Sequence, residues 1–233
     1  MIPSKEQQGK KTKWITVRLI VLIAIFLLTI GLFTFIADEI VSEHETGFDN
    51  WGFDQLASIR SPGTTKLMLF FTFIGSRAFL LPAYIILTLY YFFFKRNTSK
   101  TLNVISIGIS SSVLLFLFKD IFKRHRPLDP LVSDVTGYSF PSGHTFSTFT
   151  FFGLLIYIIW ESPVRQLWKW ILSVILFLLA LCVGISRVYL HVHFPSDVAA
   201  SFCLSLIWLI ISLWILKKVD KKFFSKRSNG SLS

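Results

Sequence analysis

Residues 171–216 read "ILSVILFLLALCVGISRVYLHVHFPSDVAASFCLSLIWLIISLWIL": two apolar runs without a charge, joined by a turn that crowds Arg187, His191, His193 and Asp197 together. A helix needs about 20 apolar residues to cross a bilayer. Each run comes close to that length, so the stretch reads as two membrane-crossing helices with the ionisable groups confined to their connection.

The rest of the chain repeats this pattern. Of its 233 residues 53% are hydrophobic, 25 are phenylalanine and only 16% are charged, against about 25% charged in an ordinary soluble domain. Further apolar runs at about 15–37, 67–94, 101–118 and 145–160 join those at 167–185 and 198–216. The expected fold is therefore all-α, a polytopic bundle of six transmembrane helices. It is read as a single membrane-embedded domain over 1–233 with basic tails at 1–14 and 217–233. The first run exceeds the roughly 7–15 apolar residues of a cleavable signal and is expected to be retained. Cys182 and Cys203 fall inside helices, which argues against a disulfide framework. The terminal "RSNGSLS" is expected to be disordered.

The net charge of +11 marks topology rather than nucleic-acid binding. Lysine and arginine collect in the N-terminal arm (Lys5, Lys10, Lys11, Lys13, Arg18), the 95–100 loop (Lys95, Arg96, Lys100), the 161–169 loop (Arg165, Lys169) and the tail (Lys217, Lys218, Lys221, Lys222, Lys226, Arg227). The positive-inside rule puts these segments and both termini in the cytoplasm, in a plasma membrane. Trp14, Trp160, Trp168, Trp170 and Trp214 fall at the same ends, as an interfacial belt requires. The three opposite loops, 38–66, 119–144 and 186–197, hold all five histidines (His44, His125, His144, His191, His193) or adjoin them. The acidic 38–66 loop contains "GFDNWGFDQLASI", a short helix in prospect with a structural or lid role.

Three stretches on that face carry chemistry. In "KDIFKRHRP" (119–127), Lys119 and Arg126 are about two turns apart on a helix face that Pro127 ends; Lys123 and Arg124 read as a basic end reaching for the interface. In "FPSGHTFSTF" (140–149), Ser142 stands at a helix N-cap, Gly143 permits close backbone approach, and the free N–H groups of the first turn suit an anion beside His144. In the opening stretch, Asp197 lies four residues after His193, within reach of one ring nitrogen, which makes the other a better nucleophile or base. Arg187 adds a guanidinium suited to phosphate.

Rival chemistries are weaker. A metal could be held by His144, His191, His193 and Asp197; against it, Lys119, Arg126 and Arg187 would repel a cation. A serine hydrolase using Ser142 or Ser186 lacks the G-x-S-x-G elbow. A non-catalytic phospholipid binder or transporter would use the basic cluster but not the His–Asp pair with a second histidine.

Lys119 with Arg126-Pro127, then Pro141-Ser142-Gly143-His144, then Ser186-Arg187 with His193 and Asp197, resembles the three-part signature of the type 2 phosphatidic acid phosphatase superfamily. Within it the six-span layout is most similar to the bacterial phosphatidylglycerophosphatase B group. The resemblance implies that His193 attacks phosphorus to give a phosphohistidine, that Asp197 orients it, and that His144 protonates the leaving oxygen. Lys119, Arg126, Ser142, the Gly143 amide and Arg187 would bind the phosphate, and with three fixed cations in place of a metal ion the resemblance implies no metal or other cofactor. The implied reaction is hydrolysis of phosphatidylglycerophosphate to phosphatidylglycerol at the outer leaflet, with undecaprenyl diphosphate or phosphatidic acid as alternative substrates. The partners expected are a phosphorylated lipid and the bilayer, with no nucleic acid and no obligatory protein partner. Arg77, in the expected second span, and His125 and His191 are left outside the signature; structural roles are expected for all three.

Overall fold

Three of the helices start at a side-chain oxygen that takes up a free backbone N–H, as capping requires. Ser61 and Thr64 form a reciprocal capping box, with Pro62 at the first helical position, and open α3 (Pro62–Ile74). The Ser76 hydroxyl accepts from Phe79 N at 3.3 Å and opens α4 (Arg77–Leu89), which winds on through a π-helical turn, Tyr90–Phe94. Asn97 accepts from Lys100 N at 2.9 Å and opens α5 (Thr98–Phe122). The remaining helices are α1 (Lys5–Glu43), α2 (Gly47–Ala57), α6 (Gly143–Glu161), α7 (Gln166–Tyr189) and α8 (Pro195–Asn229). The structure, a computed structural model, describes residues 5–43, 47–133 and 135–229. His44 and the Trp14 side chain lie outside the described residues.

Among the described residues six helical stretches are long and apolar enough to cross a membrane: Leu19–Val41, Pro62–Phe94, Thr98–Phe122, Gly143–Glu161, Gln166–Tyr189 and Pro195–Val219. Leu28, Phe94, Phe116 and Ile121 point outward from them. A continuous apolar exterior of this kind is stable only against lipid, and the chain is a multi-pass membrane protein. The central helix is α6, packed between α7 and α8. Its Phe149, Phe151 and Phe152 join Ile74, Leu80, Ala180 and Val183 in a buried cluster. Cys182 and Cys203 are free thiols.

The second expected span is not one helix. It breaks at Gly75–Ser76, and the corner seats tightly on the bundle: a Cβ at Gly75 would lie 2.4 Å from Val183 Cγ1 and 3.3 Å from His144 Cβ. Only glycine fits there. The expected short helix of the 38–66 loop is α2. The terminal tail differs from expectation, since α8 stays helical through Asn229; 230–233 lie outside the described residues.

Candidate active site

The C-terminal ends of α5 and α7, the N-terminal ends of α6 and α8, and the 123–142 connection meet at one end of the bundle. Helix α5 stops before Arg126: Lys123 takes a left-handed conformation (φ 46°) that closes the helix after Phe122. Lys119 and Arg126 therefore do not share a helix face, contrary to the spacing argument. The connection brings them together instead. Arg126 donates from Nε to Gly137 O (2.9 Å), from Nη2 to Thr136 O (3.0 Å) and from Nη1 to Val192 O (2.7 Å), while Lys119 Nζ donates to the carbonyls of Tyr138 and Ser139.

At the turn from α7 to α8, His193 is almost wholly buried. Its Nε2 lies 3.2 Å from Arg126 Nη1. Arginine can only donate, so this nitrogen carries the lone pair and the proton sits on Nδ1. Nδ1 faces Ser139 Oγ at 3.3 Å and Asp197 Oδ2 at 3.5 Å. The Ser139 hydroxyl also donates to Asp197 Oδ2, so it bridges the pair. Asp197 reaches back to Phe194 N (2.9 Å), as a capping residue does at the start of a helix. Burial pushes the His193 imidazole down to about 3, aided by the Arg126 and Arg187 charges and opposed by Asp197. Burial also lowers Arg126 from the usual arginine value, against the pull of Asp197.

Ser142 occupies the N-cap position of α6 as expected, but its hydroxyl pairs with Thr145 Oγ1 (2.9 Å) and no side chain caps the first turn. The helix start is left open toward the site. An ideal Cβ on Gly143 would lie 3.9 Å from Lys119 Cε, which sets that lysine beside the opening. His144 follows in the first turn, within electrostatic reach of Arg187, His193, Arg126 and Arg77. Arg187 is buried and donates to Thr72 Oγ1, while its Nε has no hydrogen-bond partner among the described residues.

The structure separates residues that adjacency in sequence had grouped. Lys123 is exposed, 3.7 Å from Asp120. Arg124 is not the interfacial basic end it was read as: it is buried, pairing with Asp197 Oδ1 at 2.7 Å and Asp49 Oδ2 at 2.8 Å, because both carboxylates are themselves buried and need a cation. Breaking such a pair typically costs about 3–5 kcal/mol. His191 turns away from His193, with its ring on Phe53 (4.2 Å between centroids) and Nδ1 2.7 Å from Leu128 O. His125 is exposed. Among the described residues no group of metal-ligating side chains gathers, so the alternative set of His144, His191, His193 and Asp197 does not converge. Arg77 lies at the start of α4, exposed, just after the Gly75–Ser76 break within the second spanning stretch, Pro62–Phe94. Reading the sequence missed Asp49, Arg124 and Ser139. Arg124 lies inside the 119–127 stretch and Ser139 two residues before Pro141, whereas Asp49 is far from all three motifs.

The PAP2 superfamily profile matches residues 99–221, more than half of the chain and all three stretches that build the site. The chain belongs to the PAP2 superfamily. Among PAP2 proteins it is 32% identical over 166 residues to phosphatidylglycerophosphatase B of Bacillus subtilis (strain 168), covering 70% of this chain and 79% of the relative. It is 27% identical over 197 residues to an undecaprenyl-diphosphatase of Sulfolobus acidocaldarius, covering 82% of this chain and 84% of the relative. The crystal structure of the transmembrane PAP2-type phosphatidylglycerolphosphate phosphatase from Bacillus subtilis superposes with a TM-score of 0.72 at 28% identity, over 86% of this chain and 96% of that one. The PAP2 match begins after Asp49, Thr72 and Arg77, so this part of the site surround comes from outside the matched region.

Proposed function

We propose that this PAP2 protein is a membrane lipid phosphatase acting through a phosphohistidine, as a single membrane-embedded unit. The observation that carries the reading is the His193 ring, with Nδ1 turned to Ser139 and Asp197 and the Nε2 lone pair turned to Arg126. Nε2 attacks phosphorus as the bond to the lipid oxygen breaks, and His144 gives that oxygen a proton. Water, giving its proton to His144, then attacks the phosphohistidine, releasing phosphate and restoring His193. Asp197 steadies the imidazolium that forms. Lys119, Arg126, Arg187, the Ser142 hydroxyl and the Gly143 amide hold the phosphate oxygens, and the unpartnered Arg187 Nε supports that role. These fixed donors supply the charge stabilisation phosphoryl transfer requires, without a metal.

The favoured substrate is phosphatidylglycerophosphate. A diphosphate such as undecaprenyl diphosphate is the second reading. Arg77 favours it: this exposed cation within electrostatic reach of Lys119 and His144 suits a second phosphate at the mouth of the site. The site is assigned to the outer face, with cytoplasmic termini, because Lys95, Arg96, Lys100, Arg165, Lys169, Lys217 and Lys218 cluster at the other end. Phosphate release by purified protein in EDTA from phosphatidylglycerophosphate, phosphatidic acid and undecaprenyl diphosphate tests the reading. Turnover of at least one is expected; none in EDTA with turnover on added metal would overturn the mechanism. An R77A variant that loses diphosphate turnover selectively would establish the second substrate.

A further inference from the structure

Arg124 is held by polar contacts to two buried carboxylates and a serine at this end of the bundle, and nothing in the proposed chemistry uses it. Its guanidinium lies over the Phe194 ring, 3.9 Å from the centroid. Nη1 donates to Asp197 Oδ1 (2.7 Å) and Ser196 Oγ (2.8 Å), and Nη2 to Asp49 Oδ2 (2.8 Å). Asp49, wholly buried on α2, also accepts from Ser196 N (2.8 Å) and Ser196 Oγ (2.9 Å). One carboxylate from a distant helix thus takes up a free N–H in the first turn of α8 and anchors the arginine. Gly52, one turn further along α2, presses on the same place: a Cβ there would lie 2.5 Å from Pro195 Cγ.

The two oxygens of Asp197 are thereby given different tasks. Oδ2 faces His193, Ser139 and Phe194 N; Oδ1 faces Arg124. A carboxylate held at one oxygen by a planar guanidinium, itself held by a second carboxylate and a ring face, has little freedom to turn away from the imidazole. Without Arg124, Asp49 and Asp197 would be two buried carboxylates both contacting the first turn of α8, with no cation between them. Like charges so placed drive each other apart or take up protons.

We propose that Asp49 and Arg124 are positioning residues for the phosphatase reaction, locking the Asp197 carboxylate toward His193, so that α2 is part of the catalytic apparatus rather than only a cover. The proposal rests on the reading of His193 as the nucleophile. Asp49 and Arg124 are buried and engaged with each other and with Asp197, so their loss should slow the chemical step and leave substrate binding alone.

The test compares wild type, D49N, R124M, D49N/R124M and H193A as purified full-length proteins, each checked for a monodisperse folded state, with kcat and KM measured on the lipid phosphate that wild type turns over. D49N is expected to lower kcat by about 10-fold and R124M by up to about 100-fold, the scale on which supporting partners act on a working group, with KM held within about twofold. The double variant is expected to be no slower than R124M, since it removes the charge of one of the two carboxylates from which R124M takes its guanidinium. R124K, which keeps the charge but not the fork, should recover part of the rate. Should R124M fail to accumulate, D49N, which keeps the side-chain shape, decides alone. Wild-type kcat in folded D49N, or losses explained wholly by a smaller folded fraction, would overturn the proposal. Wild type inert on every lipid phosphate would instead overturn the phosphatase reading, and this proposal with it.

Discussion

At one end of the bundle Arg124, Asp49 and Asp197 are buried and interlocked; at the other, Lys100 and Glu161 pair at 3.3 Å with each side chain more than a third exposed. The far pair borders a cavity of about 400 Å³ lined by residues including Tyr91, Asn103, Tyr157 and Lys217. There Lys217 lies over the Tyr157 ring, 4.9 Å from its centroid, and Tyr157 donates to Glu161. Both ends use lysine or arginine, a carboxylate and an aromatic ring. They differ in what water does. Solvent screens the far pair, so either partner can be lost at little cost. At the site end each charge has been taken out of water and depends on its neighbours.

The largest effect that would sharpen this contrast is at His193. H193A is expected to reduce phosphate release to background, a loss of more than about 10³-fold, as for a missing covalent nucleophile; a fully active variant would sink the mechanism. Next comes H144A, with an expected drop in kcat of about 10²–10⁴, the usual contribution of a positioned acid, measured as lipid phosphate turnover under saturating substrate.

A third comparison uses acid. Folded His193 takes up its proton near pH 3, whereas the unfolded ring does so near its ordinary 6.5. Between these values the unfolded chain binds more protons, so His193 lowers stability as the pH falls from about 6.5 toward 3 and has no such effect above it. The apparent melting temperature should therefore drop less between pH 7 and pH 4.5 in H193Q than in wild type. Equal drops would show that the imidazole is not shielded from water. The smallest effect is predicted at the far end, where E161Q should change kcat by less than about twofold and stability by about 0.2–1 kcal/mol. A large loss of activity there would break the distinction between the two ends.

What could be read from the sequence follows the same division. The apolar runs announced the spanning helices because lipid exposure makes composition decisive over about 20 residues. Lys119, Arg126, Ser142, His144, Arg187, His193 and Asp197 were legible as three short motifs, and the structure gathers them at one end of the bundle. Arg124 was not. Nothing local separates it from Lys123, and its burial is decided by Asp49, 75 residues earlier, and Asp197, 73 residues later. The break at Gly75–Ser76 was hidden for a similar reason. An apolar run does not reveal a corner whose cause is the approach of Val183 and His144. Ser139 bridges His193 and Asp197 only because the 123–142 connection returns it there.

That connection has a further consequence for turnover. Arg126 and Lys119 rest on the carbonyls of Thr136, Gly137, Tyr138 and Ser139. On the proposed reading of these two cations, an incoming phosphate would exchange with carbonyl oxygens instead of meeting bare charge. The same exchange runs backward once hydrolysis is complete. Cations with carbonyls to return to would then let inorganic phosphate go, where a cluster of unsatisfied cations would become a product trap.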